Sequence, residues 1–196
     1  MTAAADPTSL KDLLERVRSA SEGERTGLRE IIQHVGERSF APALLVPALL
    51  LVSPLSGIPG TPTIGAAIIL MISLQWLAGR DHLWLPDVLM RREIASKHMQ
   101  KALDWLDRPA RFVDRHSGKR LRALVHGPSR YLSILVICLI VITWPFLELL
   151  PMVTSTGAFA VSLLTIGLML RDGVYVVAGY AFIGVLGGVI YMVAGM

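Results

Sequence analysis

FAPALLVPALLLVSPLSGIPGTPTIGAAIILMISLQWLAG, residues 40–79, decides how the rest of the chain is read. It holds no charged residue before Arg80, and its prolines and glycines gather in the middle. Long uncharged stretches belong in lipid rather than water. The breakers Pro54, Ser56, Gly57, Pro59, Gly60 and Pro62 divide the stretch into two arms. The first arm, Phe40–Ser53, is about fourteen residues and would cover roughly 21 Å as a helix, against roughly 30 Å of hydrocarbon. The second, Thr63–Gly79, runs directly into Arg80-Asp81.

A second stretch repeats this plan. Residues 131–196 hold only Glu148, Arg171 and Asp172 as charges. Tyr131–Thr143 is an apolar arm, Pro145–Pro151 a breaker region, and Thr154–Leu170 a second arm ending at Arg171-Asp172-Gly173. A shift of 91 residues places Gly36 on Gly127, Phe40 on Tyr131, Pro54 on Pro145, Thr63 on Thr154, Arg80 on Arg171 and Asp81 on Asp172. The Gly65-Ala66 pair meets Gly157-Ala158 with one extra residue. Matched Pro, Thr and Arg-Asp at one offset indicate an internal duplication, since shared Leu and Val alone would mean little. A last apolar run, Val174–Val193, is about twenty residues and long enough to span.

The flanking segments are polar and amphipathic. Leu10, Leu13, Leu14 and Val17 recur at helical spacing, and Ser9 with Asp12 resembles a capping box. A second amphipathic helix is expected after Thr26, with Leu28, Ile31, Ile32 and Val35 on one face. Residues 1–39 lack the short apolar core and cleavage site of a secretory signal. Residues 80–130 carry twelve Lys/Arg against six Asp/Glu, while residues 1–39 carry six against seven. Within 80–130, apolar residues recur at mostly helical spacing, Arg108-Pro109 is expected to break the helix, and Trp84 and Trp105 suit an interfacial belt. A basic excess between two apolar blocks is the pattern of a cytoplasmic loop, so the net charge of +4 does not point to nucleic acid.

The expected architecture is an all-α integral membrane protein of the inner membrane, multi-pass, with the basic linker cytoplasmic. It comprises N-terminal amphipathic helices (1–39), a first Pro-broken hairpin (40–79), the linker (80–130), a second hairpin (131–172) and a C-terminal transmembrane helix (173–196). The hairpins are either re-entrant, with arms too short to cross, or ordinary spans whose Pro-rich turns lie outside. If re-entrant, helices starting partway through the lipid would present unpaired N–H groups and a positive dipole end to an anion. Thr63 and Thr154 stand where such helices would begin and are candidate N-caps. Arg80 and Arg171 are candidate partners for an anionic group, with Asp81 and Asp172 fixing them by salt bridges. Glu148 is either an ion-coupling site or an exposed residue of an outer turn. Ser73 and Gln75 are read as interhelical hydrogen-bonding residues rather than ligands.

No catalytic residue, metal ligand or cofactor is assigned. The histidines show no metal spacing, the single Cys138 lies inside an apolar run, and no Gly-rich phosphate loop is present. An enzyme is therefore not expected. Membrane lipids are the expected partners, including an anionic lipid or polyprenyl phosphate. Gly184 and Gly188 form a small-xxx-small pair suited to close packing, either within the chain or in a homodimer.

The chain also resembles the ExoD-type exopolysaccharide synthesis proteins of bacteria. The likeness is carried by Leu28–Phe40 with Gly36-Glu37-Arg38-Ser39-Phe40, then Pro54–Gly60, then Gln75-Trp76-Leu77-Ala78-Gly79-Arg80 leading to Trp84-Leu85-Pro86, and the Arg171-Asp172-Gly173 corner. It covers about residues 9–190, with Thr61-Pro62-Thr63 departing from a more serine-like loop. The resemblance implies a small inner-membrane protein linked to exopolysaccharide production and transfers no catalytic or ligand residue. Two roles stay open: a transporter or carrier of an anionic substrate such as a lipid phosphate, and a non-transporting accessory subunit of a polysaccharide assembly complex.

Overall fold

A computed structural model describes residues 9–21, 25–27, 31, 40–53, 56, 58, 60–80, 83–87, 91, 93–118, 120–147 and 153–194. The architecture is helical, apart from one ribbon in which β1 (Arg25–Gly27) pairs antiparallel with β2 (Glu93–Ala95). The helices are α1 (Leu10–Ser19), α2 (Phe40–Val52), α3 (Thr61–Leu77), α4 (Ser96–His116), α5 (Pro128–Ile142), the short α6 (Trp144–Leu147), α7 (Val153–Leu170) and α8 (Gly173–Ala194). A 3-10 turn at Arg122–Val125 precedes α5.

The two hairpins, α2–α3 and α5–α7, interlock. α2 packs on α7 as α3 packs on α5, which places α2 and α5 on opposite corners of a four-helix arrangement. Both hairpins enter from the same end. There the Phe40 ring at the start of α2 stacks on Trp76 near the end of α3, 6.2 Å between centroids. Arg130, at the start of α5, lies over that same Trp76 ring. At the far end the bends meet, with Ser56 Oγ and Ser155 Oγ 2.8 Å apart. The repeat is therefore parallel, related by an approximate two-fold axis running along the helices. α8 lies along α7.

A glycine stands at the close approach within each hairpin. A Cβ on Gly65 would fall 2.5 Å from Leu51 Cδ1, and one on Gly157 would fall 2.9 Å from Trp144 Nε1. The seam is closed by apolar side chains with no measurable exposure: Leu44, Ile69, Ile72, Ile134, Ile137, Val141, Val161 and Leu164. Each such side chain contributes about 1.5–3 kcal/mol by leaving water.

The duplication is real in structure, with a corrected register. Buried Gly65, Ala66, Ile69, Ile72 and Ser73 on α3 correspond to buried Gly157, Ala158, Val161, Leu164 and Thr165 on α7. That spacing is 92 (Gly157 less Gly65), one more than the expected shift. Both helices also end alike. The residue after the last turn takes a left-handed conformation, Gly79 at φ 71° and Arg171 at φ 55°. The next amide reaches back five residues, Arg80 N to Gln75 O at 3.1 Å and Asp172 N to Gly167 O at 3.0 Å. This is the Schellman closure, in which a left-handed residue lets two otherwise orphaned carbonyls be satisfied. Structurally, then, Arg80 matches Asp172 and Gly79 matches Arg171. The expected pairing of Arg80 with Arg171 aligned like residues in place of like positions.

A second layer covers α2 from outside. Leu10, Leu13, Leu14 and Val17 of α1 and Met99, Leu103, Leu106 and Ala110 of α4 close over Leu45, Val46, Leu49 and Leu50 of α2. Ser9 caps α1 as expected, accepting from Asp12 N at 3.1 Å. Asp114 of α4 adds two further bonds, from Leu10 N and Lys11 N, so the layer is tied across its own width. α4 does not break at Pro109. The proline is exposed, and so is Trp105 one turn earlier, so water can satisfy the carbonyl that loses its donor while Leu106 and Ala110 keep the buried face in phase. Thr26 lies in β1 instead of preceding a helix directly. Of the second amphipathic segment only Ile31, helical and buried, falls within the described residues.

Counted over the described residues, no helix is long and apolar enough to cross a membrane. α2 has 13 residues, α3 17, α5 15 and α7 18; α8, where the sequence predicts a C-terminal transmembrane helix, has 22 but does not qualify as a span over its described residues.

Candidate functional site

The described candidate ligand residues are not gathered in one place: Thr63 and Thr154 stand near the starts of α3 and α7, Arg80, Arg171 and Asp172 past their ends. Thr63 is exposed and is not a cap: Gly60, left-handed at φ 83°, is the N-cap of α3, and Thr63 is its third residue. Thr154 is buried as the second residue of α7, which begins at Val153, so it too stands inside its helix. A Pro at the second position of α3 explains the early start. Pro62 has no N–H to lose there and its fixed φ suits the first turn.

Arg80 and Arg171 are exposed, each at the close of its helix. Asp81 and Glu148 lie outside the described residues. Asp172 has a different role from the one expected. It is 1% exposed, and its carboxylate accepts from Gly118 N at 2.8 Å and from Val174 N at 3.1 Å. The second bond makes it the N-cap of α8, where a carboxylate also answers the positive end of the helix. The first bond joins α8 to the segment leaving α4. Gly173 N donates to Arg120 O at 2.7 Å, and Tyr175 Oη to Val113 O at 3.0 Å, so the same corner is fastened three times. A Cβ on Gly173 would fall 2.3 Å from Leu121 O, which excludes any larger residue there. Asp172 is thus bonded to backbone amides, not to Arg171.

Gln75 also binds its own segment instead of a neighbouring helix. Its amide accepts from Trp84 N at 2.8 Å and donates to Trp84 O at 2.7 Å, holding the chain after α3 back against the helix end. Ser73 Oγ is buried next to the Cys138 thiol of α5, and Ser162 Oγ is buried without a hydrogen-bond partner. Gly184 and Gly188 have open space where a Cβ would stand, so neither serves close packing within the described part of the chain.

The sequence reading passed over a cluster at the entry end. Arg130 Cζ lies 5.3 Å from the Trp76 centroid and 5.4 Å from that of Tyr131, with Phe40 stacked on Trp76. Arg130 Nε is buried and has no hydrogen-bond partner. The only sequence signal was a basic residue just ahead of an apolar arm, indistinguishable from ordinary linker charge.

Residues 10–193 match the protein family described as "Exopolysaccharide synthesis, ExoD". A curated relative, "Protein ExoD" of Rhizobium meliloti (strain 1021), is 32% identical over 180 residues, covering 89% of this chain and 73% of the relative. No solved structure matches. The match over nearly the whole length makes the chain a member of the ExoD exopolysaccharide-synthesis family.

Proposed function

We propose that the protein is a membrane-embedded, non-catalytic accessory component of exopolysaccharide synthesis, using its hairpin bundle to hold a charged helical layer at the cytoplasmic surface of the inner membrane. One observation carries this reading: the two sides of the bundle have opposite character. On α5, Tyr131, Leu132, Leu135, Leu139 and Ile142 are exposed, and on α8 so are Val174, Val177 and Val185. A water-soluble protein rarely leaves so long an apolar face open. On the other side, α1 and α4 turn Lys11, Glu15, Arg18, Lys101 and Asp104 outward.

The outward ridge of α4, Trp105, Arg108, Phe112 and Arg115, is exposed along three turns. Aromatic and arginine side chains dominate the energetic centres of protein interfaces. This ridge is the surface offered to a polysaccharide assembly enzyme. The accessory reading is favoured over a carrier because apolar side chains dominate the seam between the hairpins among the described residues.

Alkaline carbonate extraction should leave the protein in the membrane pellet, and mild-detergent purification should recover a polysaccharide synthase with it. Replacing Arg108, Phe112 and Arg115 together by Ala should lower that recovery without releasing the protein from the membrane. Extraction of the wild-type protein by carbonate would refute membrane embedding, and undiminished recovery of the synthase with the triple variant would refute the accessory role.

The carrier reading draws on the Ser56–Ser155 contact, which brings the two bends together as a shared ligand site would require. It predicts that Arg80→Ala and Arg171→Ala weaken polyprenyl phosphate binding by the purified protein. Unchanged affinity in both variants would remove it.

A further inference from the structure

We infer that Arg130, framed by Trp76 and Tyr131 at the entry end of the bundle, is a binding site for the phosphate of an anionic phospholipid. The inference rests on the membrane reading above.

The guanidinium is half-buried between two aromatic rings and pairs with no carboxylate among the described residues. Arg16, Arg18 and Arg111 each have an acid within 3.2 Å, and among the described residues Arg80, Arg108, Arg115 and Arg171, which pair with no carboxylate, are exposed to solvent as Arg130 is not. A partly desolvated cation without a counter-charge is costly, and the cost is relieved when an anion arrives. Ring faces attract the guanidinium but leave its N–H donors free at the edge, since cation–π contact uses the face of the cation. Arg130 Nε is itself buried and unpartnered, which leaves the terminal nitrogens as the donors a phosphate can reach. A phosphate accepts from a guanidinium through two parallel N–H···O bonds, a geometry lysine does not reproduce. Arg130 is also the third residue of α5, whose start carries no side-chain cap, so the positive end of the helix adds to the field.

The shape of the surroundings says which phosphate carrier fits. Tyr131 belongs both to the cation's cage and to the open apolar stripe that continues through Leu135, Leu139 and Ile142 along one face of α5. A cation at the head of an apolar stripe roughly three helical turns long matches an amphiphile with its head group at Arg130 and its acyl chains on α5. An inorganic anion would use only the first half of that arrangement.

Full-length protein purified in mild detergent is mixed with phosphatidylglycerol or phosphatidylcholine, and bound lipid is counted by native mass spectrometry. The wild-type protein should retain phosphatidylglycerol in preference to phosphatidylcholine. Arg130→Gln should lower that retention about tenfold, as loss of a charge-assisted hydrogen bond implies, with Arg130→Lys intermediate. Failure of inorganic phosphate to displace the lipid identifies the lipid as the ligand. Displacement by phosphate assigns the site to the free ion and overturns the lipid proposal. Should Arg130→Gln fail to fold, Arg130→Lys and the wild-type preference still decide the matter. Equal retention of the two lipids by the wild-type protein overturns the site, as does unchanged retention by folded Arg130→Gln. Release of wild-type protein by carbonate would instead count against the membrane reading, so the two failures are separable.

Discussion

α2 and α5 occupy matching places in the two hairpins and are treated in opposite ways. α2 is buried on every side: Phe40, Leu44, Ala48 and Leu51 face the seam, while Leu45, Val46, Leu49 and Leu50 lie under α1 and α4. α5 buries Ile134, Ile137 and Val141 in the seam and leaves Leu132, Leu135, Leu139 and Ile142 open. The inner faces, which have to interlock about the two-fold axis, have kept the repeat. The outer faces had no such constraint, and only one of them is covered by this chain. The chain thereby has one side covered by charged amphipathic helices and one left apolar and open.

The sharpest way to break that comparison is to shorten a leucine on each outer face. Leu45→Ala removes a side chain with no exposure, wedged between α2 and the amphipathic layer, and should cost about 3 kcal/mol in thermal unfolding followed by circular dichroism in detergent. Leu139→Ala on α5 should cost less than about 0.5 kcal/mol, because the side chain is already exposed. Equal losses would mean that the α5 face is packed against something in the folded protein, such as a second copy.

Asp172 and Arg80, the structural equivalents at the two helix ends, come next. Asp172→Ala strips two backbone amides of their acceptor at a buried corner and should cost about 2 kcal/mol. Asp172→Asn keeps a carbonyl oxygen there and should recover about half of that. Arg80→Ala, at an exposed position, should be near neutral. If Asp172→Asn were as damaging as Asp172→Ala, the charge rather than the hydrogen bonds would be what the corner needs.

The repeat, the helical class and the amphipathic character of α1 and α4 were legible because each depends on spacing along the chain, and spacing survives in any packing. The register of the repeat was not. Arg80-Asp81 and Arg171-Asp172 look alike as letters, but helix closure selects a left-handed position, and that position holds Gly79 in one copy and Arg171 in the other. Thr63 and Thr154 look like caps in the sequence because each follows a Pro-rich bend, but α3 and α7 begin before them. Pro62 instead opens α3 from within its first turn. The tie of Asp172 to Gly118 and the cage around Arg130 join residues more than fifty positions apart, and no local pattern announces such contacts. β1 and β2 are equally distant in sequence and too short to leave a period-two signal.

The two crossing glycines offer a finer comparison. Gly65 would meet a methyl at the far end of Leu51 at 2.5 Å and Gly157 the indole of Trp144 at 2.9 Å; both side chains are buried, but a leucine methyl can rotate aside where a rigid ring cannot. Alanine gains about 1 kcal/mol over glycine inside a helix, so Gly65→Ala should come out near zero. Gly157→Ala should lose about 1–2 kcal/mol, because the ring cannot yield. The reverse order would show that Leu51 is the more tightly held of the two.

The smallest expected effect concerns Arg171. A non-glycine residue held at φ 55° carries a steric cost of about 1 kcal/mol relative to glycine, and its partner position in the first hairpin is glycine. Arg171→Gly should therefore raise the thermal midpoint slightly, by an amount worth about 0.5 kcal/mol once the added freedom of the unfolded chain is subtracted. Gly79→Ala should do the opposite at the equivalent place. The informative readout is exopolysaccharide yield in cells carrying Arg171→Gly in place of the wild-type gene. A more stable protein with lower yield would show that the strained arginine is retained for what its side chain does. A more stable protein with full yield would make Arg171 an accident of the second copy, and the functional weight of that corner would then rest on Asp172 and the segment it fastens.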